Sequence, residues 1–500
     1  MNVSGEKQAH KESIRLAEEA VAAQAEIAAR DDYRLQYHLL PQAGWMNDPN
    51  GLIYFKEEYH LFYQHHPYSD KWGPMHWGHA VSKDLVHWKH LPIALAPTEP
   101  YELGQEGGYG CWSGSAVETD GRLTLIYTGH VDGREPMEVQ CAASSTDGVV
   151  FDKHSGNPLI PGCPDTGNFG FRDPKVWSHD GLWYMVLGSG KEGKGKALLY
   201  QSEDLERWEY MGTAAESDGT QGDMWECPDL FPLGDKHVLV LSPMNMQGAK
   251  NLYMTGEMDY ASGKFTPEAQ AKLDYGPDFY AAQTLLDGKG RRIMIAWMDH
   301  WGSEMAREDR GWYGAMTVPR ELVLLPEGKL ASRPVPELEL LREDAIMASG
   351  VTLSKGNDAA WNVRDGQGFE WIAEFAMNGT QAERLEITLL AAEGSGESTV
   401  IRYLLREDKL ILDCSASGHG DASISEVSVS TEAPDANGGS LKLQVFIDRS
   451  SIEVFVNDGR YVLTSRVYPS ALTGGITMRA EGGSITLQSL NMWNLKSIWS

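Results

Sequence analysis

The chain has 500 residues, of which 42% are hydrophobic and 23% are charged, so it can bury sizeable cores and has no composition typical of disorder. Its 43 Lys and Arg residues against 71 Asp and Glu residues give a formal net charge of −28. This acidic balance argues against general nucleic-acid binding and against docking on an anionic membrane, because both rely on a basic face. The length indicates two or more domains.

Residues 6–30 predict one N-terminal amphipathic α-helix, within a first unit that spans residues 1–32. The stretch is rich in Ala and Glu and contains no Gly or Pro. Its apolar residues follow the helical i, i+3/i+4 spacing at Ile14, Ala17, Val21, Ala25 and Ala28. We expect this helix to pack against the body of the protein.

Three features favour a cytoplasmic location. Residues 1–32 carry charges throughout and lack the apolar core of a secretory signal. No window approaches 18 uninterrupted apolar residues, as a membrane span would need. The five cysteines are odd in number and form no C-x-x-C pair, which suits thiols in a reducing compartment.

Residues 33–336 predict a five-bladed β-propeller. Short aromatic and β-branched runs alternate there with Gly, Asp, Asn and Pro turns, as in closely spaced strands. Five segments begin loosely alike at intervals of 53 to 65 residues, starting at Asn47, Trp112, Arg172, Trp225 and Asp278. A similar tail closes several of them, at residues 82–88, 145–151 and 202–208. Five copies of a multi-strand unit indicate five blades.

Residues 350–500 predict a separate β-sandwich, which makes the fold class all-β with one short N-terminal helix. Residues 331–341 read as a linker with a short helix. Beyond them the chain alternates between strands without the blade signature, and residues 443–448 and 452–456 form a hairpin-like pair.

Three acidic residues, Asp48, Asp173 and Glu226, are expected to meet at one mouth of the propeller. The first strand of each blade lines the central axis, so residues at the starts of these strands converge. Hydrolysis of a glycosidic bond uses two carboxyl groups in different protonation states, one that attacks or activates water and one that protonates the leaving oxygen. The constellation therefore indicates a glycoside hydrolase.

The local sequence suggests a role for each carboxyl group. Asp48 lies in an Asn-Asp-Pro-Asn-Gly turn, whose amides can donate hydrogen bonds that keep a nucleophile ionised. Glu226 has apolar neighbours and a thiol beside it, and burial among them favours the acid form that a general acid needs. Asp173 follows Arg172 and can accept hydrogen bonds from sugar hydroxyls.

Aromatic, amide and hydroxyl side chains complete a candidate sugar pocket, because rings stack on the apolar faces of sugars and polar groups bind sugar hydroxyls. The candidate substrate-binding residues are Trp45, Asn47, Gln64, Trp72, Trp112, Ser113, Arg172, Tyr280 and Trp297.

Seven histidines lie between residues 59 and 91, at His60, His65, His66, His76, His79, His87 and His90. They alternate with strand residues and lack a ligand spacing with Cys or Glu, so we expect no metal and no other cofactor. His65 and His66 are instead candidates for contact with substrate at the funnel rim.

The chain resembles glycoside hydrolase family 32, which includes invertases, sucrose-6-phosphate hydrolases, levanases and inulinases. The matching stretches are residues 45–51, 62–64, 75–80, 112–115, 171–174, 226–228, 278–281 and 448–456. The resemblance implies a propeller followed by a sandwich, with Asp48 as nucleophile, Glu226 as acid/base and Asp173 as transition-state stabiliser. It also implies that Asn47, Gln64, Trp72, Ser113 and Arg172 hold the fructosyl unit.

The activity implied by this resemblance is release of terminal β-D-fructofuranosyl residues from sucrose or sucrose 6-phosphate, with retention, through a covalent fructosyl-enzyme. A fructosyltransferase and a fructan hydrolase on the same scaffold are alternatives. The three carboxyl groups argue against a non-catalytic sugar-binding protein, and residues 45–51, residues 226–227 and the sandwich argue against an inverting arabinan hydrolase. The sequence leaves open the oligomeric state and the need for a 6-phosphate, for which Lys71, His65 and His66 lie near the relevant loop.

Overall fold

A computed structural model of the protein describes residues 3–164, 167–302, 310–392, 394–420, 422–429 and 439–499. The chain begins with a long helix, α1 (Val3–Ala29), as predicted. This helix packs against the body of the protein through its side chains. The Glu18 carboxylate accepts a hydrogen bond from Ile93 N–H at 2.6 Å, and His10 Nε2 accepts one from Ala96 N–H at 3.1 Å.

Residues 44–334 form five sheets that are arranged as the blades of a propeller. In chain order, the strands are β1 (Gly44–Phe55), β2 (Glu58–His66), β3 (His76–Ser82) and β4 (Trp88–Leu95); β5 (Tyr109–Thr119), β6 (Arg122–Val131), β7 (Glu138–Ser145) and β8 (Asp152–Lys153); β9 (Phe169–His179), β10 (Leu182–Lys191), β11 (Lys194–Ser202) and β12 (Glu209–Glu216); β13 (Met224–Leu233), β14 (Lys236–Met244), β15 (Leu252–Asp259) and β16 (Lys264–Ala271); β17 (Tyr280–Leu286), β18 (Arg292–Trp297), β19 (Trp312–Tyr313), β20 (Arg320–Leu324) and β21 (Leu330–Pro334).

The first strand of each blade lies innermost, which confirms the predicted five-bladed propeller. Apart from the β19–β1 pair, neighbouring strands within a blade pair in antiparallel fashion, and β1, β5, β9, β13 and β17 contact one another around a closed ring. The recurring tails form turns ahead of the outermost strands. In each, Asp84, Asp147 or Asp204 accepts backbone N–H groups two and three residues onward, at 2.8–3.0 Å, and so fixes the turn.

The ring is closed by hydrogen bonds between its two ends. Strand β19 leaves the fifth blade and pairs in parallel with β1, so that Gly44 lies opposite Trp312 and Trp45 opposite Tyr313. The Gly44 N–H also donates to the carbonyl of Gly311 at 2.8 Å. The first blade is therefore a five-stranded sheet that contains chain from both ends of the propeller.

A 3-10 helix (Pro336–Leu341) leads into a β-sandwich of two six-stranded sheets. Its strands are β22 (Arg342–Ser354), β23 (Ala359–Asn362), β24 (Phe369–Ala376), β25 (Arg384–Leu389), β26 (Ser398–Leu404), β27 (Lys409–Ala416), β28 (Ile424–Ser428), β29 (Ser440–Asp448), β30 (Ser451–Val456), β31 (Tyr461–Arg466), β32 (Gly475–Glu481) and β33 (Ser484–Leu495). The predicted hairpin is the β29–β30 pair. Fully buried Phe369, Trp371 and Phe375 fill the core between the sheets.

Buried charges join the propeller to the sandwich. Arg320 of β20 is fully buried and donates to Asp274 at 2.9 Å and to Glu453 of β30 at 2.5 Å. The ring of His38 lies 3.0 Å from Glu453 and 2.8 Å from Asp448. Because these groups come from both sides of the interface, the two halves share one set of ion pairs.

Two global features of the described residues bear on the sequence expectations. None of the described helices provides an apolar stretch of the length that a bilayer crossing requires. All five cysteines lie within the described residues, and none of them forms a disulfide bond.

Candidate active site

A cleft of about 540 Å³ opens where the starts of the innermost strands converge. All three predicted carboxyl groups line it. Seven of the predicted substrate-binding residues line it too, and they are Asn47, Gln64, Trp72, Trp112, Ser113, Arg172 and Tyr280. The five-fold repeat therefore brings together side chains that lie more than 200 residues apart in the sequence.

The same backbone irregularity occurs at the cleft in all five innermost strands. The strand register shifts between Met46 and Pro49, between Trp112 and Gly114, between Arg172 and Lys175, between Glu226 and Asp229, and between Tyr280 and Gln283. Such bulges re-aim side chains and increase local twist. The bulges explain how consecutive residues of a strand direct polar groups into one funnel.

Asp48 lies in the bulge of β1, rather than in the tight turn that its sequence suggested. The strand accommodates the Pro-Asn-Gly run without reversing the chain. It does so through an inserted residue and through the positive φ of 54° at Gly51. The Asp48 carboxylate accepts hydrogen bonds from the Asn47 amide at 3.0 Å and from the Ser113 hydroxyl at 2.7 Å. The hydrogen bonds to Asp48 expected from amides of a turn thus come from a side-chain amide and from a hydroxyl group of the next blade.

The surroundings of Asp48 oppose ionisation more than the sequence suggested. Burial raises the pKa of its carboxyl group, and the nearby Glu226 charge adds to this effect, while the Asn47 and Ser113 hydrogen bonds oppose it. Burial also raises the pKa of Asp173, together with the charges of Glu226 and Asp48, against the pull of Arg172. Carboxyl groups that crowd in this way favour keeping a proton on one of them.

Asp173 is held by the strand of the neighbouring blade. Its carboxylate accepts a hydrogen bond from the Cys227 N–H at 2.9 Å, and the Cys227 thiol lies 3.6 Å from Asp173 and 3.7 Å from Asp48. Both Asp173 and Cys227 have positive φ, at 62° and 47°. Non-glycine residues in this conformation are strained, and such strain concentrates at functional sites.

Glu226 meets polar partners as well as the expected apolar neighbours. Arg172 donates to one carboxylate oxygen through Nε at 3.0 Å and Nη2 at 2.8 Å. The Tyr280 hydroxyl donates to the other oxygen at 2.5 Å. Burial and the Glu226 charge raise the pKa of Tyr280, so its hydroxyl stays protonated as a donor. The carboxyl group is therefore fixed in orientation by both oxygens.

Two predicted sugar-binding tryptophans, Trp45 and Trp297, are not among the residues that line the cleft. Trp297 is fully buried, and Trp45 stacks on Tyr313 with ring centroids 4.3 Å apart. The Trp45 indole N–H donates to Asn47 at 2.6 Å, and thereby orients the amide that contacts Asp48. Trp301, which the sequence analysis missed, lines the cleft in their place and is 43% exposed.

None of the seven histidines between residues 59 and 91 is among the residues that line the cleft. His65 and His66 are buried, and their ring nitrogens face the backbone carbonyls of Trp45 and Pro74, at 2.7 and 3.1 Å. Burial lowers the pKa of His65 to about 4. The prediction that His65 and His66 contact substrate at the funnel rim is therefore wrong, because strand β2 directs both side chains into the packing beneath the rim.

Among the described residues, one cluster of acidic and histidine side chains lies close enough to share a metal ion: Asp278, Asp299 and His300. Its carboxylates already accept hydrogen bonds, from the Arg466 N–H at 2.7 Å and from the Tyr313 hydroxyl at 2.7 Å. These donors make the cluster a structural contact between propeller and sandwich.

One loop that lines the cleft and one carboxylate behind it were not predicted from the sequence. Met244 at the end of β14 lines the cleft together with Asn245, Met246, Ala249 and Lys250 of the loop between β14 and β15. Behind the cleft, buried Glu138 binds Arg172 at 3.0 Å. The loop lacks a recurring motif, and a Glu at a strand start gives no signal of burial, so neither was visible in the sequence.

Comparison with known proteins places these features in one family. The sequence pattern of the glycosyl hydrolases family 32 N-terminal domain matches residues 38–334, and that of the family 32 C terminal matches residues 337–494. A sucrose-6-phosphate hydrolase of Escherichia coli is 41% identical, over 92% of this chain and 94% of the relative. A raffinose invertase of Escherichia coli is 40% identical over the same shares of the two chains. The solved GH32 β-fructofuranosidase of Bombyx mori superposes with a TM-score of 0.83 at 33% identity, over 98% of this chain and 99% of that one. The chain belongs to glycosyl hydrolase family 32.

Proposed function

We propose that the protein releases the terminal β-D-fructofuranosyl residue of sucrose or sucrose 6-phosphate by a retaining mechanism. The observation that carries this proposal is the convergence of Asp48, Asp173 and Glu226 in one cleft, between side chains suited to bind a sugar. The related proteins named for sucrose-6-phosphate hydrolysis, raffinose inversion and β-fructofuranosidase activity support the same substrate class.

In the first step Asp48 attacks the anomeric carbon of the fructosyl unit. Its carboxylate oxygen forms the new bond as the bond to the glucosyl oxygen breaks, and the Glu226 carboxyl group gives that oxygen its proton. The Asn47 amide and the Ser113 hydroxyl orient the attacking carboxylate through the hydrogen bonds described above. Asp173 accepts hydrogen bonds from sugar hydroxyls and stabilises positive charge that develops on the ring.

In the second step Glu226 acts as a base. It takes a proton from water, whose oxygen attacks the anomeric carbon, and the bond to Asp48 breaks to release fructose with net retention. Tyr280 and Arg172 hold the Glu226 carboxyl group in one orientation throughout. This fits a residue that serves both steps from one position.

Lys250 is proposed to recognise a phosphate at the far end of the cleft. Of the described residues that line the cleft, Arg172 and Lys250 are basic, and Lys250 lies in the loop between β14 and β15. A lysine is a suitable point charge for a phosphate. Lys71 and the two histidines considered from the sequence are not among the lining residues.

Replacing Lys250 by Met is expected to lower kcat/KM for sucrose 6-phosphate by about 10- to 100-fold, the effect of losing one charged hydrogen bond. The value for sucrose should change less than about twofold, since no phosphate is present. Lys250→Arg should keep the preference, and Lys71→Met should leave it unaltered. An equal loss for both substrates in Lys250→Met would exclude a phosphate contact at this position.

Hydrolysis and fructosyl transfer are separated by their products. At high sucrose concentration a hydrolase releases fructose and glucose in nearly equal amounts, whereas a transferase leaves free glucose in excess and forms fructosylated sucrose. A matched assay with a short inulin tests for fructan hydrolysis. We expect equal amounts of the two monosaccharides and a lower kcat/KM for inulin.

We also propose three units: the helix within residues 1–32, the catalytic propeller in residues 33–336 and the sandwich, first assigned to residues 350–500. Because β22 begins at Arg342 and pairs with β33, we place the last boundary at the 3-10 helix (Pro336–Leu341). A cytoplasmic location is proposed from the cysteines, which form no disulfide bond.

A further inference from the structure

Glu138, at the start of β7, is a buried carboxylate that lies behind the cleft instead of lining it. It is 4% exposed. One of its oxygens accepts a hydrogen bond from Arg172 Nη1 at 3.0 Å and lies 3.2 Å from His130 Nδ1. The other accepts the N–H of Phe171, which immediately precedes Arg172. Glu138 thus holds both the guanidinium and the backbone of the strand that carries it.

Arg172 is shared between two carboxylates. Its Nη1 binds Glu138, while Nε and Nη2 bind Glu226. Burial disfavours the charge on Arg172, but the carboxylates of Glu226, Glu138 and Asp173 outweigh this and raise its pKa. Burial likewise disfavours the Glu138 carboxylate, yet Arg172 and His130 outweigh it and lower its pKa to about 2. Glu138 therefore remains a permanent negative charge opposite the arginine.

A second layer holds Glu138 in place. The far nitrogen of His130 lies 2.9 Å from Asp132, whose other oxygen accepts the Gly108 N–H at 2.6 Å. The His130 ring stacks on Trp112 with centroids 3.5 Å apart and an interplanar angle of 6°. Because Trp112 lines the cleft, the arrangement also fixes one wall of the sugar pocket.

We propose that Glu138 is a positioning residue of the reaction, which acts through Arg172 on Glu226. Glu138 holds Nη1 of the guanidinium in place. The Nε and Nη2 donors therefore face the Glu226 carboxyl group in a fixed geometry. Because Glu138 shares the positive charge of Arg172, it also weakens the electrostatic attraction between Arg172 and Glu226. This inference rests on the proposed role of Glu226 as the acid.

A positioning role for Glu138 predicts in which direction the pH profile of activity moves when its charge is removed, whereas a purely structural role predicts no such shift. Without the Glu138 charge, Arg172 interacts more strongly with the negative Glu226 carboxylate, so we expect the alkaline limb of the activity profile to move to lower pH. The other charged or titratable groups that face Glu226 are Asp48, Asp173, Cys227 and Tyr280, and those that face Glu138 are Arg172 and His130, with Asp132 beyond. A substitution at Glu138 leaves these side chains in place and removes one negative charge that acts on Arg172 and Asp132.

The test is the pH profile of kcat/KM for sucrose in Glu138→Gln. We expect its alkaline limb to move about one pH unit lower, the size expected for one charge removed at close range. At pH values above the limb, activity should fall about tenfold relative to the wild type. Glu138→Asp keeps the charge and should keep the limb near its wild-type position, even if kcat declines.

Glu102→Gln is the matched control. Glu102 is also a fully buried carboxylate of the propeller, bound by Lys153 and the Tyr127 hydroxyl, but it does not line the cleft. Its loss should lower thermal stability without moving the limb. Should Glu138→Gln not fold, Asp132→Asn is a milder probe, since Asp132 is 52% exposed, and should move the limb the same way by a smaller step.

Different results would contradict the proposed function and the proposed role of Glu138. A wild-type protein without activity on sucrose or sucrose 6-phosphate contradicts the proposed function. An active wild type whose alkaline limb stays within about 0.2 unit in a folded Glu138→Gln, or shifts equally in Glu102→Gln, overturns the role of Glu138.

Discussion

Replacing Asp48 by Asn will lower kcat for sucrose by about 10⁴-fold, a loss on the scale seen when a catalytic nucleophile is removed. The amide has nearly the shape of the carboxylate but does not attack the anomeric carbon. Initial rates of glucose release, with enzyme enough to detect a 10⁵-fold loss, measure the effect. A variant that keeps more than about one hundredth of the wild-type rate contradicts the nucleophile assignment.

The same substitution is expected to leave stability unchanged or to raise it. Burial holds the pKa of Asp48 above its ordinary value, so at neutral pH its charge makes the folded state less stable. Removing that charge relieves this cost, and the benefit should disappear as the pH falls below the ordinary Asp value, where folded and unfolded chains are both protonated. Thermal unfolding of the variant and the wild type at pH 7 and at low pH tests the sign.

Asp147→Asn is the matched control for both readouts. Asp147 lies in the outer turn of the second blade, where bonds from the Ser145 hydroxyl and from backbone N–H groups lower its pKa to about 2. Its stabilising contribution is present above the ordinary Asp value and lost as the pH falls through the folded value. The control should therefore lose stability at pH 7 and keep kcat, the reverse of Asp48→Asn.

The second large effect concerns Arg320. Replacing it by Met is expected to lower the free energy of unfolding by about 3–5 kcal/mol, as when one partner of a buried ion pair is removed. Asp274 and Glu453 would remain as fully buried carboxylates without their shared cation. Burial opposes the charge of Arg320, but these two carboxylates outweigh it and raise its pKa.

Urea unfolding followed by tryptophan fluorescence measures this loss, with the midpoint compared between variants because a chain of this size need not unfold in one step. Arg406→Met is the control. Arg406 pairs with Glu383 at the surface, where the side chain is 80% exposed, and such pairs contribute little. A triple variant with Met at 320, Asn at 274 and Gln at 453 should regain part of the stability, since no buried charge is left unpaired. A midpoint that is unaltered in Arg320→Met contradicts the assigned role.

Much of the fold was predictable because the propeller repeats its signals. Apolar runs and turns recur with each blade, and the five strand starts inferred from the sequence are those that line the axis. The convergence of Asp48, Asp173 and Glu226 followed from this repetition. The bulge that carries Asp48 was read as a turn, because Asp-Pro-Asn-Gly is compatible with either, and only pairing with β2 decides between them.

What could not be predicted depends on long-range burial. Glu138 lies at a strand start like many exposed acidic residues, and its partner Arg172 is distant in the chain. Trp45 and Trp297 are of a residue type that often stacks on sugars. In the structure, however, they pack behind Trp301 and Asn47. Which face of a strand meets the cleft is set by bulges, whose positions the sequence pattern does not show.

The pairing of β19 with β1 has a consequence for synthesis on the ribosome. The strand that carries Asp48 emerges early, but β19, which pairs with the edge of β1 that faces away from β2, follows more than 250 residues later. Until then the start of β1 lacks its partner strand, and the hydrogen bonds that join the two ends of the propeller are missing. Contacts so distant in sequence form late and slowly. A nascent chain that stops before residue 312 thus contains all three carboxyl groups of the cleft but lacks the strand that joins the two ends of the propeller, so we expect it to aggregate more readily than the complete propeller.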